Sequence, residues 1–431
     1  MKFLVLMTFL CPLLASGETR SLALERLLKK DLWDTPITTF AEAAKGGGFQ
    51  WLSSQKQALR ATRGKVTLFG GPVGEVVVRS KKDTISSLSA SLYNRGDDGN
   101  MKKDEFTALR DAWVRRISDF TEIEPQPYKS RSAVDLERLI WRGGSSAFLL
   151  EASLKDGSGA PEFLRLRLAP NAATTHAPKT ANRFSLRSNL TSKPNGDIYL
   201  ENVPMVDQGK KGYCAVASAE RIMRYYGNPI DQHEMAQIAQ SSAARGTSLA
   251  LMVDALKKAV GKLNTRTLVL YEYPKGLADS DRDIRTYNLG LKEYMRDVRS
   301  YNKLAEEAGK QVFSVSRERV INMSYFMAKC DGPLYARVME EKSSFRRFKQ
   351  KITEYIDQGI PVAWALQLGM FKEGKLPQMY GGHMRLIIGY NERTSELIYS
   401  DSWGDGHGFK RMPTAHAFCM TNAIMVLPPT R

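Results

Sequence analysis

The stretch QGKKGYCAVASAERIMRYYG runs from Gln208 to Gly227 and places a cysteine where a polar loop turns into an amphipathic helix. After Cys214, apolar residues recur at the three-to-four-residue spacing of a buried helical face, and Gly227 follows where a C-terminal cap is expected. Unpaired N–H groups and the helix dipole stabilise an anion at a helix N-terminus, so Cys214 is predicted to ionise readily and to act as a nucleophile. The alternative is a buried, inert cysteine, and the rest of the sequence has to decide between the two.

The N-terminus has the features of a secretory signal peptide. One lysine precedes an apolar run from Phe3 to Leu14, and the small residues Ala15, Ser16 and Gly17 follow it. The run is shorter than the roughly 18 residues expected of a membrane span. Residues 1–17 are therefore predicted to be removed, and the mature protein is predicted to be secreted or periplasmic.

Length and charge limit the architecture and the partners. A chain of 431 residues exceeds what one hydrophobic core usually supports, so two domains are expected. The formal net charge of +17 favours anionic partners, which for an exported protein include an anionic envelope surface. The sequence contains no zinc finger, basic helix or aromatic RNA-binding pattern, so no specific nucleic-acid partner is predicted.

The first domain is predicted over residues 18–170 as a small α+β unit. KVTLFG and GEVVVRS indicate strands, Lys103 to Ser118 a helix, and AFLLEASL with EFLRLRLA a β-hairpin. This part of the chain contains no histidine or cysteine, so its role is left open between masking the active site and targeting the enzyme to an anionic surface. Residues 171–197 are rich in Asn, Thr, Ser, Pro and Lys and are predicted to form a linker.

The second domain is predicted over residues 198–431. Helices are expected after Cys214, near Gln232 to Ser241 and near Ser248 to Val260, and a charged, mostly helical segment is expected over residues 279–351. The end of the chain is rich in strands: IPVAWALQL, HMRLIIGY and ELIYSD.

The last two of these strands carry a histidine and an aspartate. A polar turn around Asn391 to Ser395 separates them and predicts a β-hairpin. If the hairpin is centred on Glu392, His383 lies directly across from Asp401, close enough for the carboxylate to hold the imidazole. A slip of one residue would put the two side chains on opposite faces, so the prediction depends on the register.

Three cysteines remain after removal of the signal peptide, at positions 214, 330 and 419. In an oxidising compartment an odd number leaves one thiol unpaired. Pairing of Cys330 with Cys419 would leave Cys214 as the free thiol, although the sequence alone cannot show that these two residues approach each other. HExxH and CxxC motifs are absent from the sequence, so no metal site and no cofactor are predicted.

The order Gln, Cys, His, Asp resembles the papain-like cysteine peptidases, and among them most closely the C39-type family. Gln208 lies six residues before Cys214, which is the spacing of the superfamily's oxyanion glutamine, and the family's Asp or Asn before Ser-Trp-Gly is matched by Asp401 to Gly404. The resemblance covers about residues 198–428. It implies an α+β fold in which a papain-like catalytic domain, a helical subdomain plus an antiparallel sheet, follows a separate small α+β domain.

The resemblance implies a role for each matched residue. Cys214 would be the nucleophile, His383 the general base, Asp401 the residue that orients the imidazole, and Gln208 an oxyanion donor, while Trp403 would shelter the histidine from water. The expected function is hydrolysis of peptide bonds in a peptide or protein substrate through an acyl-enzyme. Two alternatives stay open: a transglutaminase-like acyltransferase, and a non-catalytic binding protein on the same fold.

Overall fold

A computed structural model describes residues 21–129, 134–154, 159–171, 183–209, 213–227, 232–238, 253, 266–276, 284–315, 323–374, 376–378 and 380–429. The predicted signal peptide and the helix expected near residues 248–260 lie outside this described part, except for Val253. Residues 21–171 are called the N-terminal half below, and residues 183–429 the C-terminal half. Along the described residues, no helix is both long and apolar enough to cross a bilayer.

The N-terminal half is built on an eight-stranded sheet in the order β2-β3-β6-β7-β11-β10-β9-β8, with every neighbouring pair antiparallel. Three further strands, β1, β4 and β5, form a small separate sheet. The strands of this half are β1 Leu22–Ala23, β2 Gln50–Trp51, β3 Ala58–Ala61, β4 Val66–Leu68, β5 Gly71–Pro72, β6 Val76–Lys81, β7 Thr84–Asn94, β8 Gln126–Pro127, β9 Leu136–Gly143, β10 Ser146–Leu154 and β11 Pro161–Pro170. Its helices are α1 Ile37–Ala43, α2 Arg95–Asp98 and α3 Lys103–Thr121, with 3-10 turns at Leu24–Leu27, Leu32–Asp34 and Lys45–Gly47.

The C-terminal half combines a second antiparallel sheet with helices. The sheet runs β12-β13-β16-β15-β19-β14, and β17 joins it by pairing with β16 and β18. Its strands are β12 Leu190–Ser192, β13 Asp197–Leu200, β14 Leu268–Glu272, β15 Val362–Leu368, β16 Gly381–Asn391, β17 Glu396–Ser400, β18 Lys410–Pro413 and β19 Thr421–Val426. Its helices are α4 Arg183–Arg187, α5 Cys214–Tyr225, α6 Gln232–Ile238, α7 Ile284–Glu307, α8 Met323–Lys329, α9 Gly332–Glu340, α10 Ser343–Ile356 and α11 Thr414–Met420.

These elements make a mixed α/β protein with two large antiparallel sheets. The buried apolar side chains form one cluster within residues 24–168 and another within residues 186–427. The predicted hairpin of AFLLEASL and EFLRLRLA is present as β10 and β11, paired from Ser146↔Pro170 to Leu154↔Pro161. The division into two domains stays a prediction.

The segment predicted as a linker is partly structured. Residues 183–187 form α4, and β12 and β13 form a hairpin in which Asp197 to Tyr199 pair with β16. The polar composition of this segment is that of an edge hairpin: Asn195 and Asn391 hold the Asp197 carboxylate at 2.8 and 2.7 Å. The C-terminal sheet therefore begins earlier in the chain than its composition indicates.

Buried ionic contacts join the two halves. Arg165 on β11 is 1% exposed and donates to Glu151 on β10 at 2.6 Å and to Glu234 on α6 at 2.5 Å. Burial acts to raise the pKa of Glu151, but the charges of Arg165 and Arg167 and the hydrogen bonds from Arg165 and Arg138 together outweigh burial and lower that pKa to about 2. Nearby, Ser153 Oγ donates to Gln237 Oε1 at 2.7 Å. Since a buried charge is costly once its partner is removed, the two halves depend on each other in this region.

Candidate active site

Cys214 is the first residue of α5, as the amphipathic pattern predicts. The helix continues to Tyr225, and its face towards the sheet is fully buried around Val216 and Ile222. The helix ends at a cap on Tyr226, followed by Gly227 with φ +81°, a conformation that favours glycine. This geometry places the Cys214 thiol at the N-terminal end of the helix dipole.

The hairpin of β16 and β17 has a different register from the one predicted. Asn391 pairs with Glu396, and beyond a bulge between Ile387 and Gly389, Leu386 pairs with Ser400. The turn is a four-residue loop in which Asn391 Oδ1 accepts from Thr394 N at 3.1 Å, so its centre lies beyond Glu392. The prediction that His383 lies directly across from Asp401 is therefore wrong.

The two side chains nevertheless meet. Asp401 follows the last paired residue of β17, where the register brings it across from Arg385, and His383 lies two residues from Arg385 on the same face of β16. His383 Nε2 lies 2.7 Å from Asp401 Oδ1, and both side chains are fully buried. Because a carboxylate only accepts hydrogen bonds, Nε2 carries the proton of this bond.

The thiol and the imidazole polarise each other. His383 Nδ1 makes no hydrogen bond within the described part of the chain, and it is therefore the ring nitrogen left available to the Cys214 thiol. Burial acts to raise the pKa of the Cys214 thiol, but the polar contact and charge of the His383 ring, together with backbone hydrogen bonds at Met384 and Ala215, outweigh burial, and the pKa is lowered. Burial acts to lower the pKa of His383, but its hydrogen bond with Asp401, its contact with the Cys214 thiol and the charges of both groups together outweigh burial, and the pKa is raised. These opposite shifts favour a thiolate beside an imidazolium.

Asp401 is held by a second cation that the sequence analysis missed. Arg385 is fully buried, and its Nε donates to Asp401 Oδ1 at 3.0 Å while its Nη2 lies 2.9 Å from Glu373 Oε2. Burial acts to raise the pKa of Asp401, but the hydrogen bond from His383 and the charge of Arg385 lower it. The sequence contains a signal for this residue, because an arginine two positions after His383 in an apolar strand must share the histidine's face.

A second missed arginine ties the nucleophile helix to the aspartate loop. Arg221 on α5 is buried, and it donates to the backbone oxygens of Pro204 at 2.8 Å and of Asp401 at 2.9 Å. Burial lowers its pKa to about 10. Arg221 lies seven residues after Cys214, which places both on one face of the helix.

Gln208 is 4% exposed and lies against the residue after Asp401. Its backbone N–H donates to Ser402 O at 2.8 Å, and Ser402 Oγ donates to Gln208 Oε1 at 2.8 Å. A carboxamide whose oxygen accepts at one side presents its N–H groups at the other. Ser402 was predicted only as part of the Ser-Trp-Gly motif, and the structure gives it this orienting contact.

Trp403 covers one face of the His383 ring. The ring centroids are 4.2 Å apart and the planes differ by 8°, which is a parallel stack. Three successive residues, Asp401, Ser402 and Trp403, thus contact the predicted base, the predicted oxyanion donor and the base again.

The other sequence-predicted groups lie elsewhere. Cys330 and Cys419 are free thiols in the structure, so the proposed disulfide is absent between them. Burial raises the pKa of Cys330 to about 12 and that of Cys419 well above the ordinary value. His416 stacks on Phe371 with ring centroids 3.8 Å apart. Cys214 is thus the cysteine with the chemistry of a nucleophile.

The fold and the site together define the class: a mixed α/β protein with a cysteine at a helix N-terminus beside a buried histidine and aspartate. Residues 289–421 match the model of the Peptidase_C39 like family, which confirms the resemblance predicted for the C-terminal half. The match contains His383 and Asp401 and begins after Gln208 and Cys214. The family match supports the interpretation of the protein as a cysteine peptidase.

Among solved structures, the chain is similar to the crystal structure of xylellain, a cysteine protease from Xylella fastidiosa. The two are 14% identical, the similarity covers 59% of this chain and 91% of that chain, and the TM-score is 0.24. No curated protein matches the chain.

Proposed function

We propose that the protein is an exported thiol peptidase that hydrolyses peptide bonds through Cys214, His383 and Asp401. The observation that carries this proposal is the buried His383–Asp401 contact of 2.7 Å beside a helix-terminal cysteine with a lowered pKa. A nucleophile, a base and a group that orients the base are the components that acyl transfer requires.

The reaction follows from these positions. The Cys214 thiolate attacks the scissile carbonyl carbon, and the carbonyl oxygen becomes an oxyanion that accepts from the Cys214 backbone N–H and the Gln208 side-chain amide. The imidazolium of His383 gives its proton to the leaving amine as the C–N bond breaks, which leaves a thioester. His383 then takes a proton from water, the resulting hydroxide attacks the thioester, and the acid product leaves as the thiolate is restored.

Asp401 and Trp403 support the base without touching the substrate carbonyl. The carboxylate fixes the proton on Nε2 and stabilises the imidazolium, and the indole limits the access of water to the ring. Arg385 keeps Asp401 ionised, since a neutral carboxyl could not hold the charged imidazole in the same way.

The test is hydrolysis of a peptide library by purified residues 18–431, beside a Cys214→Ala control. The wild-type protein is expected to cleave peptides of the library, and the Cys214→Ala variant is expected to cleave none. Gln208→Ala is expected to lower kcat/KM by roughly 100-fold while alkylation of the thiol continues, because the amide acts on the transition state. A wild-type protein that cleaves no peptide would contradict the proposal, and transfer to an added amine in place of hydrolysis would favour an acyltransferase.

Export is part of the same proposal. Residues 1–17 would direct secretion and be removed, and the basic surface would hold the mature enzyme to an anionic envelope. The N-terminal sequence of the mature protein should then begin near Glu18, and salt should weaken the attachment. A protein that stays in the cell fraction and still begins at Met1 would contradict export.

A further inference from the structure

The loop that carries Gln208 and leads into Cys214 is contacted by the N-terminal half. We propose that this half is an integral part of the active site, which holds the loop at two points, one beside the oxyanion donor and one beside the nucleophile. The proposal rests on the proposed function, and it gives the N-terminal half a role other than masking or targeting.

The first point is an ion pair beside Gln208. Arg60 on β3 donates through Nη1 to Asp207 Oδ2 at 2.5 Å and through Nη2 to Glu75 Oε2 at 2.8 Å. The other oxygen of Asp207 accepts from the backbone N–H of Gly209 at 2.8 Å, so this carboxylate spans the residues on both sides of Gln208. The side chains of Arg60 and Asp207 are only 12% and 22% exposed, so solvent screens the pair weakly.

Local geometry makes this point specific. Gly209 has φ +66°, a conformation that favours glycine. A Cβ at this position would lie 2.9 Å from Arg60 Nη2. The loop and the arginine therefore fit each other closely, and a shift of Arg60 is transmitted to Gln208.

The second point is the residue before the nucleophile. Tyr213 precedes α5 and is 2% exposed, and the Asn94 side chain hydrogen-bonds its hydroxyl. That hydroxyl lies against Gly96 of α2, where a Cβ would come within 2.0 Å of it. Burial raises the pKa of Tyr213 to about 12, so the hydroxyl stays neutral and hydrogen-bonded. Through Tyr213, the N-terminal half thereby helps to fix the position of Cys214.

The same surfaces line an open cleft at Trp403, the residue whose indole stacks on the His383 ring. A cavity of roughly 740 Å³ is bounded by Trp51, Arg60 and Lys65 of the N-terminal half and by Asp207 and Trp403 of the C-terminal half. A substrate that reaches Trp403 would contact both halves. Binding and orientation of the catalytic groups thus depend on one interface.

The first test uses Arg60→Ala in the full chain, with Arg110→Ala as control because Arg110 pairs with Asp111 and Glu137 inside the N-terminal half. Arg60→Ala should lower kcat by about 10-fold or more while alkylation of Cys214 stays within about 3-fold of the wild type, since the ion pair acts on the oxyanion donor. Arg60→Lys should recover part of the activity.

A double-mutant cycle separates positioning from general destabilisation. If Arg60 acts through Gln208, adding Arg60→Ala to Gln208→Ala should slow the enzyme by less than about 2-fold further. Full additivity of the two losses, or wild-type kcat in Arg60→Ala, would overturn the proposal.

The second test places a methyl group under Tyr213. Gly96→Ala must displace the tyrosine ring and is expected to slow both alkylation of Cys214 and turnover by about 10-fold, because the nucleophile itself moves. Gly46→Ala is the matched control, since a Cβ there meets nothing within 4 Å. Equal alkylation rates in the two variants would overturn the second point.

Amide hydrogen exchange needs no substrate, so it tests the proposal even when the activity assays do not. Asp207→Asn leaves Arg60 paired with Glu75, and exchange of the Gly209 amide hydrogen should accelerate because its charged acceptor is lost. Unchanged exchange would overturn the first point even if Arg60→Ala fails to fold. If the wild type cleaves no peptide, the proposed function fails, whereas amide exchange and thiol alkylation still decide this inference.

Discussion

Replacing Asp401 by asparagine tests whether the buried carboxylate holds His383 in its reactive state. The shape of the side chain is kept, but the group that meets His383 Nε2 at 2.7 Å and Arg385 Nε at 3.0 Å loses its charge. All three side chains are fully buried, so solvent does not compensate for the lost negative charge. Removing a hydrogen bond to a charged group costs roughly 1.5 to 3 kcal/mol, which corresponds to a ~10- to 150-fold fall in the thiolate–imidazolium population.

The pH dependence of this variant has a defined sign. The lowered pKa of Cys214 sets the acid end of the range in which the ion pair exists, and the raised pKa of His383 sets the alkaline end. Without the Asp401 carboxylate, the pKa of His383 falls, and the thiol loses part of the positive charge that lowers its own pKa. The range therefore narrows from both ends. Stability follows the same signs: the contribution of Asp401 is lost as pH falls through its lowered pKa, and that of His383 as pH rises through its raised pKa.

The assay is the rate of Cys214 alkylation by iodoacetamide across pH, followed by mass spectrometry of the labelled peptide. Asp119→Asn is the control, because Asp119 is an exposed carboxylate on α3 in the N-terminal half. Asp401→Asn should show a narrower and lower pH plateau, and kcat/KM should fall with it. A plateau and a kcat/KM equal to those of Asp119→Asn would refute the role of the carboxylate.

Three other expectations follow from the structure. At pH 6, iodoacetamide should label Cys214 much faster than Cys330 or Cys419, whose pKa values burial raises; protection of Cys214 in the folded protein would contradict this. Trp403→Ala should lower kcat with little loss of folding, since it opens the face of the His383 imidazole to water; stopped-flow turnover beside a melting curve checks it. Arg165→Ala should reduce the free energy of unfolding by roughly 3 kcal/mol, because it removes the buried cation shared by Glu151 and Glu234, although Glu151 keeps its contact with Arg138; urea denaturation measures this, and a change below ~1 kcal/mol would contradict it.

Local patterns predicted the elements that carry the site. Apolar spacing after Cys214 gave a helix beginning at that residue, and alternating or continuous apolar runs gave β15, β16 and β17. The resemblance predicted for the C-terminal half is confirmed by the family match over residues 289–421, which include Asp401 to Gly404. These signals are local, so they can be recognised in the sequence without knowledge of the tertiary structure.

Register and long-range pairing were not predictable in the same way. The bulge near Ile388 and the four-residue turn after Asn391 shift the hairpin, and neither has a distinct sequence signal. His383 and Asp401 meet because a diagonal neighbour on one sheet face is also within reach. The prediction that His383 and Asp401 meet was therefore made from a wrong alignment of the strands.

The contacts between the halves escaped prediction for a different reason. Arg60 and Asp207 are 147 residues apart in sequence, and each alone is typical of an exposed residue in a loop or strand. The same holds for Arg165 and Glu234, which are 69 residues apart. Charged residues are usually exposed, so only the three-dimensional structure reveals that the first pair is partly buried and the second fully buried.

The stack of Trp403 on His383 gives the protein an optical reporter of its proposed catalytic base. A protonated imidazole accepts an electron from an excited indole more readily than a neutral one, so emission from Trp403 should be quenched while His383 is charged. The protein has six tryptophans, and subtracting the spectrum of Trp403→Phe from that of the wild type isolates this signal. Fluorescence recorded against pH would then follow the charge on the imidazole without substrate, label or chemical step.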